Sequence, residues 1–480
     1  MWNADDFRQS CGPSGNVSVL FFEPTIFLRA LTCGFLSMEH DIKQLIFDEA
    51  HHMSGDDKYR LIMDLFYFRC PANKRPLILG LSASPTKSSK LDAHSIPRIF
   101  RQIEQQYESR IFYPPSASLE GYCYPIESVM FPYDPVTVHR IDMLPPGILD
   151  PQGRPSSPQY SALISSQQWS KCQRLLQSIT EELGVDEGIH FIKTELESID
   201  IDKLETLNFD EATILLMKAK VEVLQKQLEF FQSMRCEPGE SNVEKSSIRS
   251  SDDLSKPRLL LPTQTPKLLG LVVCLHKHLQ LHGQFFKAIV FCQQRIICIR
   301  LTKLLQEKGF KCECVVGLNS TSISKQRFNN SLEQFRSNDP ENPMFVNILL
   351  ATSVVEEGID VPSCRLVIRF SEVRTLKQNV QSAGRARHRH SQIVHMIPRK
   401  QRQVHERFVG GLIEFQKQLE ATATDTDRPK PQLLKPVKSL KKDFKHHLYI
   451  AKTGAFLTPA LSKQVHSDKN PSQNLTGSDC

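Results

Sequence analysis

Residues 45–53 read LIFDEAHHM: three apolar residues run into two adjacent carboxylates, Asp48 and Glu49, and then two histidines, His51 and His52. A buried strand that ends this way delivers acidic side chains to the C-terminal edge of a sheet. There the first carboxylate can help hold Mg²⁺ on a nucleotide's phosphates, and the second can orient or deprotonate an attacking water. Further along, LGLSASP puts two small hydroxyl side chains, Ser82 and Ser84, at the end of another apolar run. In that position they can link such a site to a neighbouring domain. Adjacent histidines at a strand end suit the same coupling task better than they suit a metal. Far downstream, QSAGRARHRH contains Gln381, Gly384, Arg385 and Arg387 as Q-x-x-G-R-x-R. Two arginines at a spacing of two suit fingers that neutralise charge developing on a transferred phosphoryl group.

Groups like these need parallel sheets to position them. Residues 17–111 alternate short apolar runs with helical stretches: VSVLFF, LIFDE and RPLILGLSAS read as buried strands, PTIFLRALTCGFL and YRLIMDLFYF as the helices between them. Alternation of this kind predicts a parallel sheet covered by helices. Residues 112–160 are broken by proline every few positions, which predicts a connector or extended arm. From 161 to 236 the period is helical, with Ile214, Met217, Val221, Leu224, Leu228 and Phe231 forming one apolar stripe on a long helix. Residues 237–258 are polar and read as a flexible loop.

Strand and helix alternation returns from 259 to about 400. KAIVFCQQ, KCECVVG, FVNILLATS, CRLVIRF and SQIVHMI are candidate strands and RIICIRLTKLLQEKGF a helix, so a second α/β sheet is expected. Residues 400–420 read as a helix, followed by the basic, proline-punctuated RPKPQLLKPVKSLKKDFKHH, whose lysines could bind a nucleic-acid backbone. The last stretch is polar and expected to be disordered.

Composition sets the outer bounds. A chain of 480 residues with 40% hydrophobic and 24% charged residues fits two to four soluble domains. No run of about 18 uncharged apolar residues occurs, and the N-terminus shows no basic segment followed by an apolar one, so neither a membrane span nor a secretory signal is expected. Thirteen cysteines without any C-x-x-C argue against a zinc site or disulfide framework and for reduced thiols in the cytoplasm or nucleus. A net charge of +7 permits nucleic-acid binding without requiring it.

Taken in order, LIFDEAHHM, GLSASP, ATSVVEEGIDVP and QSAGRAR resemble the motifs of superfamily 2 helicases, in the group containing Dicer and the cytosolic RNA-sensing receptors. VVEEGIDVPSCRLVIRF, and YIAKTGAFLTPALS at 449–462, are similar to Dicer-like proteins in particular. The resemblance implies an α/β fold of RecA-like parallel-sheet lobes, the first incomplete, with an α-helical insertion in or before the second. It divides the chain into a partial first lobe at 1–130, a Pro-rich connector at 131–160, and a helical insertion and polar loop at 161–258. The second lobe follows at 259–400, a helical and basic extension at 401–447, and the start of the post-helicase domain with its tail at 448–480.

By the same resemblance Asp48 would act on Mg²⁺ through the nucleotide and Glu49 on water. His51, Ser82 and Ser84 would couple the lobes. Gln381, Arg385 and Arg387 would be the finger element, Gly358 and Asp360 the turn beside the nucleotide ribose, and Gln294, Arg295 and Thr352 contacts to RNA. ATP and Mg²⁺ are the implied cofactors, and double-stranded RNA and a double-stranded-RNA-binding protein the implied partners.

Departures from the family pattern matter as much. None of the 21 glycines is followed by lysine, so the Gly-Lys-Ser/Thr loop that cradles phosphates is missing. The chain is expected to be truncated at both ends, starting after that loop and stopping before any ribonuclease III domain. Where the family has a threonine before proline, FFEPTIFLRAL has Glu23, a carboxylate that would repel an RNA phosphate. Two readings follow: an ATP-dependent double-stranded RNA helicase or translocase segment acting in RNA silencing or antiviral defence, impaired by the missing loop, or a non-enzymatic RNA- or partner-binding remnant. An incomplete gene model would give the same two ends.

Overall fold

The computed structural model describes residues 19–53, 57–82, 93–114, 126–207, 209–236, 260–317, 325–355, 359, 361–373, 375–424, 448–450 and 455–457. Ser84, Gly358, Asp360, the polar loop at 237–258, the lysines at 435–445 and the tail beyond 457 therefore lie outside the described residues. The chain divides into two compact units, one built mainly from residues 1–119 with 375–380 and 410–480, the other from 120–374 with 381–409.

The first unit opens with helix α1, Pro24–Thr32. Glu23 is its N-cap, accepting from the Thr25 amide, and Pro24 fits the first helical position, where no N–H partner is needed. Gly34, at φ +71°, ends it: Phe35 N–H reaches back to Ala30 O at 2.9 Å and Gly34 N–H to Leu31 O at 3.2 Å, a Schellman closure that a side chain at Gly34 would strain. Of VSVLFF, expected as a strand, residues 19–22 lie in no strand and lead into this helix, and 17–18 lie outside the described residues. An apolar run alone does not make a strand.

Strand β1, Gln44–Phe47, pairs in parallel with β2, Leu77–Gly80. Leu45 and Phe47 face a core containing Leu31, Ile62, Met63 and Tyr107, while Ile46, Leu77 and Leu79 are exposed. Helix α2, Lys58–Ile62, starts on an Asp57 cap and runs on into a π-turn at Met63–Tyr67, closed by Phe68 N–H to Met63 O at 2.9 Å. Helix α3, Ile96–Tyr107, stops at Glu108, which lies at φ +49°.

Glu108 is held by the Arg75 guanidinium, whose Nη1 lies 3.0 Å from both carboxylate oxygens while Nε and Nη2 donate to the carbonyls of Cys70 and Phe68. The guanidinium also lies over the rings of Tyr67 and Phe68. Arg75→Ala removes this fastening and leaves two carbonyls without their donor. We expect it to destabilise the first unit by about 2–3 kcal/mol in urea titrations, and a loss below about 0.5 kcal/mol would place the pair among ordinary surface ion pairs.

The second unit is built on a six-stranded parallel sheet in the order β3-β10-β9-β6-β8-β7. Its strands are β3 (Glu127–Tyr133), β6 (Ala288–Phe291), β7 (Cys312–Val315), β8 (Ile348–Ala351), β9 (Leu366–Arg369) and β10 (Gln392–Pro398). A two-residue pair, β4 (Arg235–Cys236) with β5 (Leu261–Pro262), lies apart from it. The central strands are buried at every position, as expected when both faces are covered. Side chains alternate between the faces: Ala288, Val290, Ile348, Leu350, Leu366 and Ile368 join one core, and Ile289, Phe291, Leu349, Ala351 and Val367 the other.

The five strands expected between 259 and 400 are all present, and β3 is a sixth. It lies inside the stretch read as the end of the first lobe and the start of a connector, and the expected boundary at 130 falls within it. The reading failed because Pro132 breaks the pattern. As an edge strand β3 has one side unpaired, so a residue without an N–H is tolerated there.

Five helices follow: α4 (Pro158–Ser165), α5 (Gln167–Leu183), α6 (Val185–Glu197), α7 (Ile201–Thr206) and α8 (Glu211–Ser233). Ser157, Ser166, Asp200 and Asp210 cap α4, α5, α7 and α8, each accepting from an amide in the first turn. The buried side of α8 is Ala219, Val223, Leu224, Gln227 and Phe231, rotated from the apolar stripe. Gln227 turns it, since its amide exchanges hydrogen bonds of 3.0 and 3.2 Å with Gln173 and donates to Met143 O. The remaining helices are α9 (Pro266–His282), α10 (Arg295–Glu307), α11 (Lys325–Arg336), α12 (Leu376–Ala383) and α13 (Arg402–Thr424). A short antiparallel pair, β11 (Leu448–Ile450) and β12 (Ala455–Leu457), belongs to the first unit. No helix of the described residues is long and apolar enough to cross a membrane.

Candidate nucleotide and RNA site

In the first unit the acidic pair stands immediately after β1. Glu49 takes a left-handed conformation, φ +49° and ψ +49°, which costs a side-chain-bearing residue on the order of 1 kcal/mol and is held only where its surroundings enforce it. Here Glu49 N–H donates to Asp48 Oδ1 at 3.0 Å, and Ala50 N–H donates to Leu81 O at 2.8 Å, tying the turn to the end of β2. Gly80 permits the approach, since a Cβ there would lie 3.0 Å from that of Ala50. Tyr59 and Tyr107 pack edge-on against Phe47 and donate their hydroxyls to Asp48 O and Ala50 O. Burial first, and then the carboxylates of Asp48, Asp57 and Glu49, push the Tyr59 hydroxyl above its ordinary pKa.

The turn folds His51 back so that its Nδ1 lies 2.8 Å from Ser82 Oγ and 3.2 Å from Glu49 Oε2, with the ring almost wholly buried. Nδ1 hydrogen-bonds Ser82 Oγ, and the Glu49 carboxylate stands beside it at ion-pair distance. Glu49, His51 and Ser82 are thus brought together as one polar relay spanning the ends of β1 and β2. Among the described residues no group of three or more histidine, cysteine or acidic side chains could hold a metal by itself.

In the second unit, Thr352 follows β8 and is buried, its amide on Val315 O and its carbonyl accepting from Val355. Gln294 is exposed at the N-terminus of α10 and donates to Ser178 Oγ of α5 at 2.8 Å; Arg295 is half-buried beside Gly317. Gln381 is buried. The two arginines part company: Arg385 is buried, with Nη1 donating to Ile359 O at 2.8 Å, whereas Arg387 is exposed, with Nε on Gly384 O. Arg385 therefore fastens the backbone at Ile359, and Arg387 is the one turned to solvent.

Other site-supporting residues escaped the sequence reading. Arg369 ends β9 buried, lies over the Phe291 ring, and donates to Ser382 Oγ at 2.8 Å, fastening the helix that carries Gln381. The signal was present, an arginine closing the apolar run VIRF. Beside it in register is His395 of β10, whose ring lies 5.3 Å from that of His405 on α13. Both rings are buried, and among the described residues His395 Nδ1 and His405 Nε2 have no hydrogen-bond partner. Burial above all, then His405 and Arg369, push His395 down to about 3.

Residues 270–390 match the family described as "Helicase conserved C-terminal domain". Beyond that segment, the chain is 28% identical over 412 residues to "Dicer-like protein 1" of Neurospora crassa, a match covering 80% of this chain and 23% of that protein. It is 28% identical over 421 residues to "Protein Dicer" of Schizosaccharomyces pombe, covering 82% and 27%, and 26% identical over 430 residues to "Endoribonuclease Dicer homolog 2" of Arabidopsis thaliana, covering 82% and 28%. The chain thus spans about a quarter of the length of these relatives. The solved Hef helicase domain of Pyrococcus furiosus matches with a TM-score of 0.41 and 19% identity, over 80% of this chain and 77% of that one. Residues 270–390 thus match a helicase C-terminal domain, and about four-fifths of the chain is similar, at under 30% identity, to proteins named Dicer or Dicer-like.

Proposed function

We propose that the chain is the nucleotide-coupled, double-stranded-RNA-engaging helicase segment of a Dicer-like protein acting in RNA silencing or antiviral defence. The first unit is its partial first lobe, residues 259–400 with β3 its second lobe, and α4–α8 the helical insertion. Its partners are double-stranded RNA and a double-stranded-RNA-binding protein, and its place of action is the cytoplasm. The observation that carries this reading is the relay of Glu49, His51 and Ser82 across two parallel strand ends: a carboxylate in a strained turn, wired through one imidazole to the next strand.

ATP and Mg²⁺ do not fit these residues alone. Asp48 and Glu49 supply the carboxylates, but a triphosphate also needs clustered backbone amides and a lysine, and the sequence has no Gly-Lys. Losing preorganised donors costs orders of magnitude in rate. The 480 residues by themselves therefore bind RNA without turning over ATP. The test is phosphate release with and without long double-stranded RNA, for the chain and its Glu49→Gln variant, beside RNA gel shifts at two salt concentrations. We expect release at the level of the blank and RNA binding that weakens with salt. RNA-stimulated release abolished by Glu49→Gln would overturn the loss of turnover. No RNA binding at low salt would overturn the RNA reading.

A further inference from the structure

Helix α9 is apolar on both sides. Its inner face, Leu268, Leu271, Leu275 and His278, is buried against the sheet and its neighbours. On its outer face Leu269, Val273 and Leu281 are 45%, 62% and 64% exposed, and Phe285, just past the Gly283 terminus, is 71% exposed. With Lys277 these residues recur at steps of four, forming one ridge of the kind that seats in the groove of another helix. A helix that only covers a sheet carries charge on its outer side. Among the described residues exposed along this one, Lys277 alone has a formal charge.

We infer that this ridge docks an acidic amphipathic helix of a partner protein, with leucine-like side chains on either side of a carboxylate that meets Lys277. The ridge itself selects that occupant. Lys277 is its midpoint, so a second copy packing about a two-fold axis would set residue 273 on 281 and Lys277 on Lys277. The apolar contacts would then drive two facing ammonium groups out of water, which opposes the dimer. A polyanion gains little from one cation among four apolar side chains. A helix with one central carboxylate satisfies both the apolar ridge and its charge, and the chain's net charge of +7 favours encounter with an acidic partner.

The probe is a labelled helical peptide of about 18 residues with leucines at i, i+4 and a central glutamate, titrated by anisotropy against the full chain, with a second peptide carrying lysine in place of the glutamate. We expect saturable binding of the first peptide, weakened about tenfold by Val273→Lys and by Lys277→Glu, and recovery with the second peptide on the Lys277→Glu chain. All altered residues are exposed, so unchanged circular dichroism serves as the folding control. Failure of the first peptide to bind, or equal binding of both peptides to both chains, would overturn the proposal. So would a concentration-dependent dimer abolished by Val273→Lys, which would make a second copy the occupant.

Discussion

Gly184→Ala should cost the second unit on the order of 4 kcal/mol, enough to leave much of it unfolded at ambient temperature. Gly184 joins α5 to α6 at φ +122°, and a Cβ built there would lie 2.2 Å from Thr263 O and 2.9 Å from Gln264 Cα, both backbone atoms that cannot swing aside. The segment they belong to is pinned, because Thr265 N–H donates to Leu183 O, Thr265 Oγ donates to Glu182 O, and Lys267 is paired with Glu182. The new methyl therefore has to break the corner, and two penalties add: backbone strain and overpacking. Gly153→Ala is the control. It shares a positive φ, +78°, but has no atom within 4 Å of its Cβ position, so only the strain remains, about 1 kcal/mol. Urea unfolding of both variants distinguishes the two contributions, and equal losses would refute the clash.

Acid should weaken the same unit through His395. Its folded-state pKa, about 3, lies below the ordinary 6.5, so the stabilisation is fully present above pH 6.5 and disappears as the pH falls toward 3. By linkage the loss reaches about 2 kcal/mol at pH 5 and on the order of 4 kcal/mol near pH 3. Among the described residues the charged groups that act on the ring are His405 and Arg369, both cationic when charged, while Glu372 and Glu406 act on His405. His395→Leu removes the titrating group, so the fall in stability between pH 7.5 and 5 should shrink by about 2 kcal/mol. A variant that tracks the parent at every pH would assign the acid response elsewhere.

What the sequence disclosed, and what it withheld, divides along physical lines. Strands buried on both faces, such as AIVF and ILLA, were legible because continuous β-branched and apolar runs have few other uses. VSVLFF has a similar composition, yet its described residues, 19–22, lie in no strand, and pairing is not written in a local pattern. β3 was hidden by Pro132, whose tolerance depends on being at an edge. At the candidate site, Asp48, Glu49, His51 and Ser82 were legible as types at strand ends, and the structure brings Glu49, His51 and Ser82 together. The different fates of Arg385 and Arg387 were not, because burial at a spacing of two turns on where the Ile359 carbonyl lies. Tyr59 left no sequence signal at all, since its hydroxyl meets a main-chain oxygen that any residue would provide.

The pairing of β3 with β10 sets the order in which the second unit is completed. Glu127 aligns with Gln392, a separation of 265 residues, and the whole helical block and the central strands lie between them. At roughly 5–20 residues per second, a ribosome needs on the order of ten to fifty seconds to make β10 after β3 has emerged. The helical block, rich in near-neighbour contacts, can form during that wait, whereas the sheet's last pairing has high contact order and comes at the end. For that interval β3 is a seven-residue strand with no mate, open to any other nascent chain on the polysome. Pro132, which offers no N–H to a foreign strand, makes it a poor template during the time it is most vulnerable.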